Sequence, residues 1–189
     1  WATWLQTALV FVALSTAILM ATGAACQFDF FLRASPPAVF LLFFLFGLAS
    51  VALAFFASTL VQRVKTAQTV GYGIILVGFV FQSILCSGSG VLIDLLYSGS
   101  VKPWVLAVRY ILQMYPPFNL AKAYYDIASR SSTSLNFAEG LMVRGPGFSW
   151  ADLYKTRHEK LFTFDINIPA PIDSYHWLLV NAAVFGVLA

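Results

Sequence analysis

Charge is missing from most of the first half of this chain. No Asp, Glu, Lys or Arg occurs from Trp1 to Phe28, from Ala34 to Gln62 or from Thr66 to Ile93, and only Asp29, Arg33, Arg63 and Lys65 lie between these runs. Each run exceeds the roughly 20 apolar residues that carry a helix across a bilayer. The whole chain is only 10% charged, where a soluble domain has about 25%. With 60% hydrophobic residues and a mean hydropathy of +0.80, it has too little polar surface for a globule in water.

Cysteine and histidine are scarce too. Cys26 and Cys86 are the only cysteines, which excludes a disulfide framework and a cysteine metal set. They read as two free thiols in or near the membrane, with a disulfide left open because both fall near one membrane face. His158 and His176 are the only histidines, and neither His-x-x-x-His nor Cys-x-x-Cys spacing is present. His158 lies in the charged run Lys155 to Lys160, which reads as a solvated face. His176 stands beside Trp177 at the start of an apolar run, an interfacial position. No catalytic, cofactor-binding or metal-binding residue is assigned. A phosphate loop of the form Gly-x-x-x-x-Gly-Lys-[Ser/Thr] is absent, and Gly71-Tyr72-Gly73 reads as helix packing. The net charge of +3 is unclustered, which argues against nucleic-acid binding.

What is present is a series of apolar segments. Segment one is expected over 4–24, with Trp1 and Trp4 at a membrane–water interface. A polar link, Gln27 to Ser35, precedes Pro36-Pro37, and segment two follows over 37–61. Prolines suit a first helical turn, where the missing N–H would be unpaired anyway. Segment three spans 67–87. Between segments two and three lies a tight turn, Gln62-Arg63-Val64-Lys65-Thr66, with two cations and no acid. The positive-inside rule places that turn in the cytoplasm and the region from Asp94 to Asp173 outside. The three complete spans hold no ionisable residue, only Gln6, Gln68 and Gln82 as larger polar groups, so no ion pathway or proton relay is read from them.

Fifteen of the nineteen charged residues fall between Asp94 and Asp173. Within that region 101–128 is apolar and broken at Pro116-Pro117. Trp104, Val108, Ile111, Leu112 and Tyr115 recur at helical spacing, with Arg109 and Gln113 on another side. Each half is too short to span, so a re-entrant helical hairpin with its bend at Pro116 and Pro117 is predicted. A single kinked spanning helix competes, against the cost of burying Arg109 and Lys122 in mid-bilayer, about 3 kcal/mol or more each. Residues 129–173 read as an extracytoplasmic loop with a short helix near Trp150 to Glu159. Residues 174–189 read as the start of a spanning helix. The chain has no initiating Met and no basic n-region, and its last apolar run stops without a cap. It therefore reads as a piece of a longer protein.

Several stretches carry a family resemblance. Phe43-Phe44-Leu45-Phe46-Gly47-Leu48-Ala49-Ser50, Ala54-Phe55-Phe56-Ala57-Ser58-Thr59-Leu60 and Lys65-Thr66-Ala67-Gln68-Thr69-Val70-Gly71 together resemble the transmembrane domain of type-2 ABC exporters of the A subfamily, the lipid transporters. Tyr115-Pro116-Pro117-Phe118-Asn119-Leu120 resembles that subfamily's Pro-Pro-Phe segment, and Gly147-Phe148-Ser149-Trp150-Ala151-Asp152-Leu153 the stretch ahead of its sixth helix. The resemblance implies an all-α polytopic membrane bundle comprising helices three to six of a six-helix domain, with an exofacial re-entrant hairpin. It implies that Gln62, Arg63, Val64, Lys65 and Thr66 form a coupling contact with a cytoplasmic nucleotide-binding domain. It also implies a second transmembrane domain as partner, the bilayer and a lipid substrate. ATP and Mg²⁺ would belong to the nucleotide-binding domain, so this chain alone is expected to be no enzyme. A non-ATP-driven channel or scaffold is the alternative. A membrane transferase would need a polar catalytic cluster, with His158 and His176 as its candidates.

Overall fold

The computed structural model describes residues 2–61, 64–87, 96–97, 103–131, 134–136, 141–143, 145–161 and 164–189. Its helices are α1 (Ala2–Ala25), α2 (Asp29–Arg33), α3 (Pro36–Thr59), α4 (Val64–Ser87), α5 (Pro103–Gln113), α6 (Pro116–Ser131) and α7 (Ile172–Leu188). Two antiparallel hairpins lie outside the bundle, β1 (Ser134–Asn136) with β2 (Leu141–Val143), and β3 (Arg157–Leu161) with β4 (Phe164–Ile168). A 3₁₀ helix covers Trp150–Tyr154. The fold is an all-α membrane bundle carrying these small hairpins at one end.

Helices α1, α3 and α4 each have 24 residues. At 1.5 Å per residue that is roughly 36 Å, enough for a hydrocarbon core of about 30 Å. Among the described residues three helices are long and apolar enough to cross a membrane, within Leu5–Ala25, Pro36–Thr59 and Lys65–Ile84, and Ile172–Leu188 is a shorter apolar helix. The chain is thus an integral, multi-pass membrane protein.

Helix α3 is the centre. Its Ala38, Val39, Leu42 and Ala49 are fully buried, small or branched side chains that let α1, α6 and α7 approach it. Gly47 faces Val12 of α1 so closely that an added Cβ would lie 2.6 Å from a valine methyl. Helix α7 runs parallel to α3: Tyr175 donates its hydroxyl to the Ala38 carbonyl at 3.1 Å near one end, and Phe185 meets Phe56 toward the other. The α5–α6 pair, both hairpins and the start of α7 therefore gather at the Pro36 end, opposite Thr59 and Val64.

Three local expectations change. The link Gln27 to Ser35 holds helix α2, closed by an Asp29–Arg33 ion pair of 3.3 Å. Its Phe30 enters the core and stacks on Tyr124, with ring centroids 4.5 Å apart. Helix α1 ends ahead of it with Gln27 at φ 56°, and the Phe28 N–H reaches back to the Gly23 carbonyl, the left-handed helix stop usually given to glycine. The short helix read near Trp150 to Glu159 is confined to Trp150–Tyr154, because from Arg157 onward the backbone pairs as a strand, Arg157 opposite Ile168. Finally, Val64, Lys65 and Thr66 form the first turn of α4 and no longer belong to a loop, since nothing there breaks a helix and the Thr69 hydroxyl bonds the Lys65 carbonyl. Gln62 and Arg63 lie outside the described residues.

Gly147 adopts φ +90° where the loop crosses back over the α2–α3 junction. Its N–H donates to the Arg130 carbonyl, Phe148 donates to Arg33, and Ser35 donates to Phe148. A Cβ at Gly147 would stand 3.0 Å from the Arg33 carbonyl oxygen. Only glycine takes this conformation and this approach without strain.

Candidate functional site

The helix surfaces are inverted relative to a protein in water. On α5, Trp104 and Ile111 are 64% and 71% exposed, while Gln113 on the polar side is 4% exposed. Helix α4 likewise turns Tyr72, Ile75, Leu76 and Phe79 outward. Burying each such side chain away from water is worth about 1.5–3 kcal/mol, so hydrocarbon is the solvent these faces fit.

Between α3, α4 and α6 lies an apolar cavity of about 740 Å³. Helix α3 supplies Phe46, Ser50, Leu53, Ala54, Ala57 and Ser58. Helix α4 supplies Ala67, Gly71, Ile74, Ile75, Gly78, Phe79 and Gln82, and α6 supplies Pro117 and Leu120. The space exists because alanine, serine and glycine face each other across two long helices. Helix α4 is fixed to α6 near its middle. Tyr115 donates its hydroxyl to the Ile74 carbonyl at 2.6 Å, and Gly78 lets Pro117 pack against the helix backbone.

The proline pair stands directly after the break. Met114 and Tyr115 make the break, and Pro116 opens α6 as its first residue. The cause is steric: a proline disfavours helical backbone in the residue before it, and its missing N–H costs nothing at a helix start. The break leaves the carbonyl of Gln113, the last residue of α5, without a helical partner. That oxygen accepts from Asn119 Nδ2 at 2.6 Å and from Asn181 Nδ2 at 3.0 Å, while Gln113 Nε2 donates to the Tyr97 hydroxyl at 3.3 Å. The elbow is thus tied to both α6 and α7.

Lys122 is buried, and the objection to burying it changes accordingly. Its ammonium pairs with Asp126 at 2.9 Å, bonds the Pro169 carbonyl at 3.3 Å and lies 5.5 Å above the Tyr97 ring. The interruption at Met114-Tyr115, rather than the cost of a lone cation, separates α5 from α6. Burial raises the Tyr97 hydroxyl above its ordinary pKa, so it stays neutral. A second cavity, of about 430 Å³, opens beside it and is lined by Tyr97, Arg109, Tyr110, Gln113, Thr156, Ile168, Pro169, Asp173 and Trp177.

Of the other residues singled out, Lys65 is exposed at the start of α4 and His176 is exposed on α7. His158 lies in β3 opposite Asn167, and its side chain is outside the described residues. Cys26 is exposed with a free thiol, while the side chain of Cys86 is likewise outside them. The polar elbow was not visible in the sequence. Its signal, Arg109 and Gln113 on another side of an apolar helix, was present but was assigned no role.

A multi-pass bundle with long outward apolar helices, a broken helix pair at one end and an apolar side cavity defines a polytopic membrane domain. Known proteins narrow that class. The chain is 33% identical over 190 residues to ABC transporter A family member 2 of Arabidopsis thaliana, covering 100% of the chain and 17% of that protein. It is 34% identical over 129 residues to ABC transporter A family member 1 of Dictyostelium discoideum, covering 68% of the chain and 15% of that protein. With A family member 11 of Arabidopsis thaliana the identity is 28% over 190 residues. No protein-family model matches. The chain belongs to the A family of ABC transporters, and it spans 17% of the length of the first of these relatives.

Proposed function

We propose that this chain is the membrane wall of an ATP-driven transporter that moves lipids, and that the cavity between α3, α4 and α6 takes their acyl tails. The supporting observation is that cavity: about 740 Å³, walled by small and apolar side chains, and bordered by a helix that exposes its apolar face to the bilayer. Among its described lining residues serine and glutamine are the only polar side chains, which suits a hydrocarbon chain better than an ion. ATP and Mg²⁺ act in a cytoplasmic nucleotide-binding domain, and a second transmembrane domain completes the pathway. The segment Gln62 to Thr66 is the contact that conveys the ATPase cycle to α3 and α4.

The test is to fill the cavity. In the full-length protein reconstituted in liposomes, Ala54→Trp with Ala57→Phe is expected to slow ATP-dependent lipid movement about tenfold, the equivalent of ~1.4 kcal/mol. ATP hydrolysis stays near its starting rate, because the nucleotide site is untouched. Undiminished lipid movement with the cavity filled would exclude the reading.

A further inference from the structure

The second cavity holds two opposite charges that do not meet. Arg109 and Asp173 both line it, yet no ion pair joins Arg109 to a carboxylate or Asp173 to a cation among the described residues. Arg109 Nε is buried and lacks a hydrogen-bond partner among them. The guanidinium is nevertheless held in place, 5.0 Å from the Tyr97 ring centroid and 5.7 Å from that of Tyr110. On the other side, Tyr110 and Trp177 form an open aromatic corner, with centroids 6.3 Å apart and planes inclined at 56°.

We propose that this pocket binds a phosphocholine group. The positioned guanidinium presents N–H donors to the phosphate oxygens. The trimethylammonium, which has no N–H to donate, sits against the Tyr110 and Trp177 faces with Asp173 as its counter-charge, the usual chemistry of quaternary ammonium recognition. Among its described lining residues the charges of Arg109 and Asp173 sum to zero, as do those of the ligand. Its volume, about 430 Å³, falls in the ordinary range for small-molecule sites. Trp177 lies one turn inside the apolar helix Ile172–Leu188, which sets the pocket at the depth of lipid headgroups. An anionic headgroup without a cation would leave Asp173 unpaired beside it. The source of the group as a membrane phospholipid rests on the lipid-moving reading above, whereas the phosphocholine chemistry does not.

The test uses the full-length protein in detergent, incubated with equal amounts of phosphatidylcholine and phosphatidylglycerol bearing the same acyl chains. Retained lipid is counted by mass spectrometry. The wild-type protein is expected to keep phosphatidylcholine about fivefold over phosphatidylglycerol. Asp173→Asn and Tyr110→Leu bring that ratio toward one, and Arg109→Gln lowers retention of both lipids. Tyr110 is more than half exposed, so its variant reports on binding even if an Asp173 or Arg109 variant unfolds. A ratio near one in the wild type, or a ratio unmoved by Tyr110→Leu, overturns the site. Glycerophosphocholine is added as competitor in a second arm. Failure to displace the lipid supports a membrane source. Displacement at equal concentration supports the phosphocholine site and overturns the membrane source. ATP and lipid movement play no part in either readout, so failure of the transport reading leaves this result standing, and the reverse.

Discussion

Asp152 shows how a single side chain can hold a loop at the membrane edge. Its carboxylate accepts from Lys155 Nζ at 2.8 Å, from the Ser149 hydroxyl at 2.7 Å and backbone N–H at 2.9 Å, and from Arg130 Nη1 at 2.9 Å. The Lys155 bond and then the Ser149 bonds keep its pKa well below the usual carboxylate range. A lowered native pKa stabilises the fold above the unfolded value of about 3.9, and that stabilisation fades as pH falls through the native one. Asp152→Asn is therefore expected to cost about 2 kcal/mol near neutral pH, the scale of hydrogen bonds to a charged group. Most of that belongs to Ser149 and Arg130, since Lys155 is largely exposed and screened. Thermal unfolding in detergent at a series of pH values checks it: the gap between variant and wild type narrows below about pH 4. Little of this was legible in the sequence. The Ser149-to-Asp152 spacing fits a capping box, but Arg130 lies on another element, and only folding brings it there.

Helix α6 is the element that joins the bundle to its polar end. The sequence read it as half of a hairpin bent at Pro116 and Pro117. It gave no hint that Lys122 and Asp126, one turn apart, would both be buried. Such pairs usually mark a solvated helix face. Here Tyr97, Pro169 and α7 cover them, contacts made across 47 residues in the case of Pro169. A buried pair adds little net stability, but breaking it strands a charge at about 3–5 kcal/mol. Lys122→Met is accordingly expected to unfold the α6–α7 contact, while Lys122→Met combined with Asp126→Leu recovers most of the loss. Chemical denaturation of the four proteins of that double-mutant cycle measures it, and equal losses in single and double variants would contradict it. The spanning helices were far easier to read, because an uncharged run of fixed length is a local signal. Their ends lie within three residues of the expected ones. Helix α2 was missed because five residues are too few to show a period. The second hairpin was missed although Phe164, Ile166 and Ile168 alternate with Asp165 and Asn167, since its partner strand, Arg157 to Leu161, reads as a run of surface charge.

At the scale of the molecule the inverted faces dominate. Trp104 looks outward from α5, while Trp150 stands in the 3₁₀ turn outside the bundle. In bilayers containing brominated lipid, a variant retaining Trp104 as its sole tryptophan is expected to lose most of its fluorescence, and one retaining Trp150 little. Equal quenching would count against the placement of α5 in lipid. The same scale gives meaning to the contact between Tyr115 and Ile74. Ile74 is close to halfway along a 24-residue helix, and the elbow grips α4 there and at Gly78, one turn further. A rod clamped near its midpoint behaves as a seesaw. A displacement of α4 at Lys65 is therefore expected to swing its Ser87 end the opposite way about the Ile74–Gly78 contact.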